Sequence, residues 1–130
     1  MTTNPVKPVR EGFHTVTPYL ITLDVDGLID FIKRAFDGVE TFRTIGSAGG
    51  THAELRLGDS MIMLGGNAQT SPMPCMIHLY LPDVDGFYER ALQAGATSIA
   101  VPTNFEDGDR RGGVQDPFGN QWYISAPYSG

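Results

Sequence analysis

The chain is poor in the features that most readily announce a function. It has one cysteine, Cys75, among 130 residues, which excludes an internal disulfide and a cysteine-built zinc site. A cytoplasmic location is the expectation that follows. No apolar run approaches the roughly 20 residues that span a bilayer as a helix, so no membrane partner is expected. Residues 1–12 are polar, carry Lys7 and Arg10, and lack the apolar stretch of a secretory leader. Basic residues are scarce: nine Lys and Arg against fifteen Asp and Glu give a formal net charge of −6. The longest basic run is Arg110-Arg111. That balance repels phosphate backbones, and no nucleic-acid partner is expected. The segment 108–113 is Gly-rich but lacks the Lys-Ser/Thr of a phosphate loop. An acidic surface suits a neutral or cationic small molecule, although many acidic proteins have no such purpose.

What is present is ordinary globular material: 41% hydrophobic and 18% charged residues, enough for one domain. Residues 1–12, with Pro5 and Pro8, read as an extended arm. Residues 13–23 are β-branched and aromatic and predict a strand, irregular at Pro18. Leu28, Phe31, Ile32, Ala35 and Phe36 recur at helical spacing and Asp37-Gly38 ends the run. Residues 39–45 are β-like. Residues 51–57 alternate, with Ala53, Leu55 and Leu57 on one face and His52, Glu54 and Arg56 on the other. Gly58-Asp59-Ser60 turns the chain into a strand over 61–64. Residues 65–74 are rich in Gly, Asn, Ser and Pro and form a linker. The order then repeats: a strand over 76–81, a helix carrying Phe87, Tyr88, Ala91 and Leu92 and closed by Gly95, then strands over 97–101, 111–116 and 120–126.

The word Asp-Val-Asp-Gly stands twice, at 24–27 and 83–86. Each copy sits between an apolar strand and an amphipathic helix, where an Asp caps free helical N–H groups. Calcium is a poor alternative, because an EF-hand loop needs Gly at its sixth position and Glu at its twelfth. One word at one place in two βαβββ halves predicts a duplicated α+β fold, with sheets around a central cleft. The expected organisation is a single domain: arm 1–12, first module 13–66, linker 67–74, second module 75–127.

Four stretches, Thr17-Pro18-Tyr19-Leu20, Leu28-Ile29-Asp30-Phe31, the run 52–60 from His52 to Ser60, and Asp116-Pro117-Phe118-Gly119-Asn120, resemble the vicinal oxygen chelate superfamily. That superfamily contains glyoxalase I, extradiol dioxygenases and fosfomycin- and bleomycin-resistance proteins; the closest likeness is to its small PhnB-like branch. The resemblance implies a glyoxalase/bleomycin-resistance-type sheet around a cleft, and in its metal enzymes four inward His or Glu ligands. By the same resemblance, those four places fall on Thr17, Met63, Met76 and Tyr123. None is a hard donor of the kind a catalytic divalent ion takes, so no metal and no cofactor are expected there.

Strand alternation extends the expected cleft wall. Tyr19 follows Thr17, His78 and Tyr80 follow Met76, and Gln121 accompanies Tyr123; His52, Glu54 and Arg56 belong to the first module. These eleven residues are the candidate ligand-binding cleft. His78, Tyr80 and Glu54 are the candidates for any acid–base work, with His78 carrying the suitable unperturbed pKa. Against this, the 52–56 face also reads as the solvated or paired side of a half-buried strand. Cys75 reads as a small hydrophobe, and the methionines at 61, 63, 73 and 76 as packing. The expected function is a metal-free small-molecule binder, of the kind that sequesters an antibiotic or xenobiotic, acting on a partly apolar ligand. The rival is a metal-dependent lyase, isomerase or dioxygenase with a displaced site using His52, Glu54 or His78. Like its bleomycin-resistance relatives, the chain is expected to form a homodimer, with the arm available for exchange.

Overall fold

A computed structural model describes residues 8–46 and 49–128. Helix α1 spans Val25–Phe36 and α2 spans Val84–Gln93. Their shared word explains both starts. The Asp24 carboxylate accepts from Gly27 N at 2.9 Å, and Asp83 accepts from Gly86 N at 3.0 Å. A Cβ on either glycine would land on that cap carboxylate, so Gly at this place keeps the cap closed. Asp37, in the left-handed region at φ 58°, ends α1, and its N–H returns to Lys33 O.

The strands are β1 Tyr19–Ile21, β2 Val39–Ile45, β3 Thr51–Leu57, β4 Ser60–Gly66, β5 Met76–Tyr80, β6 Thr97–Asn104, β7 Asp109–Gln115 and β8 Gln121–Pro127. They form two four-stranded sheets, ordered β1-β4-β3-β2 and β5-β8-β7-β6. In each, the first strand pairs parallel with the last and the remaining pairs are antiparallel. The chain is therefore the expected α+β fold of two βαβββ modules. The predicted strand over 13–23 shrinks to three residues. Pro18 has no N–H to give, and the ladder reaches it only through Met63 N donating to its carbonyl at 2.9 Å. Strand β6 runs three residues longer than predicted. It is an edge strand, and Pro102 sits where its register slips between Ala100 and Thr103.

The back of each sheet packs on a helix, and α1 serves both modules. Leu28, Ile32, Leu55 and Leu64 are buried together on the first sheet's side. On its other side Phe31 and Phe36 meet the ring of Trp122 in β8, with centroids 6.4 and 5.1 Å away. Arg90 of α2 ties the helices, donating to Asp37 at 2.6 and 3.0 Å and to Arg34 O. Burial of about 2 kcal/mol per large apolar side chain makes this shared layer the main cohesive element.

The Asp116–Asn120 motif is structural. The buried Asp116 carboxylate accepts from Phe118 N, Asn120 N, Asn120 Nδ2 and Trp122 Nε1, all within 2.8–3.0 Å. Asn120 Oδ1 in turn accepts from Cys75 N at 3.0 Å, fixing the start of β5 beside β8.

Candidate functional site

The helix-free face of the first sheet is set by register. Tyr19, Met63, Glu54 and Phe42 lie in one row, and Ile21, Gly65, His52 and Thr44 in the next. Glu54 is only 2% exposed, so its charge demands partners. Arg10, 44 residues earlier, supplies a two-pronged pair: NH1 to Oε2 at 2.9 Å and NH2 to Oε1 at 2.8 Å. His52 Nε2 lies 3.0 Å from Oε2, and His52 Nδ1 lies 3.0 Å from the Tyr19 hydroxyl. A neutral imidazole protonated at Nε2 satisfies both, donating to Glu54 and accepting from Tyr19. The Arg10 guanidinium foremost, and His52 second, hold the Glu54 carboxyl below the usual carboxylate range. The reading of 52–56 as a solvated face is thus corrected at Glu54, which is among the most buried side chains of the fold. The alternative reading, a paired face, describes it. Arg56 is exposed in the neighbouring row.

Two cavities flank this network. One of about 410 Å³ is lined by Tyr19, Thr44, His52, Gly65, Asn67 and Thr70. The other, about 350 Å³, lies among Arg10, Phe13, Phe42, Glu54, Arg56 and Met61. The Tyr19 ring fills the space over Gly65, where a Cβ would meet its hydroxyl.

The helix-free face of the second sheet carries Met76, His78 and Tyr80 on β5, with Gln121 and Tyr123 beside them on β8. It is open. Met76 is 67% and Tyr80 69% exposed, and the His78 and Tyr80 rings meet at a tilt, with centroids 5.0 Å apart. Tyr123 lies over Gly113, where a Cβ would come within 2.7 Å of its ring. Arg111 stands 4.5 Å over the Phe105 ring and pairs with Asp107, while Arg110 is held by Asp85. The Ser125 hydroxyl, in the row of Tyr80 and Arg111, is buried without a partner. A third cavity, about 550 Å³, lies between the modules, among Leu57, Ile62, Ile77, Leu79 and Trp122, and the candidates His78 and Tyr80 also line it.

The eleven candidate residues thus gather as two groups, one per sheet, with Thr17 just ahead of β1 and its hydroxyl 3.3 Å from His14 O. The places that the resemblance marks for a metal do not fit one. The Thr17 hydroxyl donates to His14 O, Met63 lies beside Glu54, Met76 points to solvent and Tyr123 covers Gly113. Glu54 lies opposite Met63, and His78 opposite Tyr123. Among the described residues no three His, Cys, Asp or Glu side chains cluster as a metal-binding group. Burial pushes the Cys75 thiol up, away from a nucleophilic thiolate. Sequence reasoning missed Arg10 and Phe42. Arg10 had no local signal, while the β-bulge between Glu40 and Phe42 breaks the alternation that would have found Phe42.

Two four-stranded sheets, each with a parallel first-to-last pair and one helix on its back, define a paired-module α+β protein. The chain belongs to the Glyoxalase/Bleomycin resistance protein/Dioxygenase superfamily, whose family model matches residues 12–124. An uncharacterized protein of Mycobacterium bovis is 41% identical over 125 residues, covering 86% of this chain and 82% of that protein. Among solved structures, TioX from Micromonospora sp. ML1 superposes with a TM-score of 0.69 at 23% identity, covering 90% of this chain and 98% of that one. The fosfomycin resistance protein FosX from Listeria monocytogenes gives 0.74 at 14% identity, covering 88% and 94%. These structures share the fold. No helix among the described residues is long and apolar enough to cross a membrane.

Proposed function

We propose that this protein is a small-molecule-binding member of the PhnB-like branch, working without a metal and taking a partly apolar organic ligand against the helix-free faces of its sheets. The observation that carries this is the open wall of Met76, His78 and Tyr80. It offers aromatic and thioether surface with a few polar groups and no set of hard metal ligands. Structural neighbours that include a fosfomycin resistance protein support a ligand of antibiotic or xenobiotic type. The same exposed wall supports a homodimer, because an apolar patch of this kind on an isolated chain calls for a cover; a single free cysteine is in keeping with the cytoplasm. A second copy would cover the wall and bring the two groups of candidate residues into one cleft.

Three measurements test the reading. Sedimentation equilibrium at micromolar concentration should give twice the chain mass, reduced toward the monomer by Tyr80→Ser with Met76→Ser. Thermal-shift screening of aromatic antibiotics should yield a ligand whose effect that double variant removes. Metal analysis of protein purified without chelator should find no stoichiometric metal. Stoichiometric zinc, nickel, iron or manganese that disappears in His52→Ala or His78→Ala would establish the rival, a metal-dependent enzyme.

A further inference from the structure

Residues 8–17 approach the first sheet through one polar attachment. Among the described residues, the two Arg10–Glu54 bonds are the hydrogen bonds that tie this segment to the rest of the chain; its others, Phe13 N to Arg10 O and Thr17 Oγ1 to His14 O, are internal. Arg10 itself is 63% exposed by side chain, and its guanidinium stands 4.9 Å over the Phe13 ring on the same segment. Glu54 is the opposite. It is buried on a rigid central strand, with one oxygen fixed by His52, and His52 is fixed in turn by Tyr19. The carboxylate is the built part of this pair and the arginine is the loose part.

A buried carboxylate on an open sheet face must meet a cation, and Oε1 together with the side of Oε2 not taken by His52 is set for a planar fork. The groups facing it are Arg10, His52, Tyr19 through His52, and Arg56 at the rim, which makes no hydrogen bond to it. Beside it lie Phe42 and Met61, apolar surface lining the same cavity as Arg10. Lifting the segment would uncover the carboxylate and that surface together.

We propose that Arg10 occupies the place of a ligand's cation: the first sheet's open face recognises an amidinium or guanidinium group attached to an aromatic or apolar body, and residues 8–17 are a displaceable plug that competes with it. This rests on the small-molecule reading above and names a ligand class for one of its two faces. Glu54 pairs with the planar cation, His52 holds the carboxylate in plane, and Phe42 and Met61 take the ring. The plug keeps the carboxylate paired when no ligand is present, which spares the fold an uncompensated buried charge. The cost is affinity, since ligand binds only the fraction of molecules with the plug lifted.

The probe is benzamidine, with uncharged benzamide as control, titrated calorimetrically into the full chain and into its Arg10→Ala and Glu54→Gln variants. Benzamidine should bind wild type weakly and Arg10→Ala at least about tenfold more tightly, the gain expected if the plug is closed nine-tenths of the time or more. Glu54→Gln and benzamide should show no binding. In wild type, saturating benzamidine should move the amide signals of residues 10–16 toward those of an unstructured peptide. Equal affinity in wild type and Arg10→Ala, binding kept by Glu54→Gln, or no binding to either protein overturns the proposal and leaves Arg10–Glu54 a structural pair. Wild type carries the amide readout, so the test survives any folding defect in a variant. The dimer and antibiotic measurements above probe the Met76–Tyr80 wall through its own variants, so a failure there and a failure of benzamidine binding are told apart.

Discussion

Replacing Asp116 with Asn changes one oxygen to an NH2 group and little else in shape, yet it should be among the most damaging single changes in the chain. Each carboxylate oxygen accepts two bonds: Oδ1 from the backbone N–H groups of Phe118 and Asn120, Oδ2 from Asn120 Nδ2 and Trp122 Nε1. All four groups are donors. An amide in either orientation keeps one accepting oxygen and turns its own donor toward two others, leaving two donors without an acceptor at a site 3% exposed. At about 1–3 kcal/mol for each buried unsatisfied group, the loss is about 2–6 kcal/mol. That is a large part of the roughly 5–15 kcal/mol that holds a domain of this size. Trp122 is the sole tryptophan and donates to Asp116, so its emission reports the local environment and unfolding in one urea titration at neutral pH. Asp107→Asn, an exposed carboxylate paired with Arg111 at 3.5 Å, is the control and should cost under about 1 kcal/mol. A loss below about 1 kcal/mol for Asp116→Asn, with an unchanged denaturant slope, would refute the argument that this motif is held by a four-donor carboxylate.

Gly86→Ala should destabilise by about 1 kcal/mol, because its Cβ displaces the Asp83 cap. In an Asp83→Ala background the same change should turn stabilising by up to about 1 kcal/mol, since only helix propensity remains; equal effects in both backgrounds would refute the steric account. Glu54 titrates below the usual carboxylate range because of Arg10 first and His52 second. Its stabilising contribution is therefore complete above the unfolded carboxylate pKa of about 4.3 and is lost as pH falls through the lower folded value. The stability gap between wild type and Arg10→Ala should be flat from pH 6 to 8 and close below about pH 4 in acid-unfolding curves. Arg90→Ala removes the clamp on Asp37 and Arg34 O. It should cost about 1–2 kcal/mol by urea titration, more than the exposed i,i+4 pair Arg34–Asp30, whose loss in Asp30→Ala should cost under about 0.5 kcal/mol.

The fold was legible because its signals are local. A cap aspartate and the glycine that makes room for it lie three residues apart, and the Asp116 turn closes within seven. Alternation assigned Ala53, Leu55 and Leu57 to the back of β3, and all three are buried there. The first strand was overdrawn because β-branched composition over 13–23 outweighed Pro18, where the ladder in fact begins. The site was legible only as a list of faces. Period two places His52, Glu54 and Arg56 together, but nothing within β3 says that Glu54 is sealed while Arg56 is exposed. That difference comes from Arg10, 44 positions away in a segment without periodicity. The partner of a buried charge is a tertiary fact, and charge count alone does not reveal it.

The sharing of α1 has a consequence for the two halves as independent pieces. The repeats carry the same four-residue word, but their burdens differ: α1 buries seven residues and α2 three. Severed in the linker, the first half would bare Phe31 and Phe36, and the second would bare Trp122. Neither half is a spare of the other. The duplicated motif has become a lock and its key on one thread, and co-expressed fragments 1–70 and 71–130 should find each other in equal numbers where each alone would aggregate.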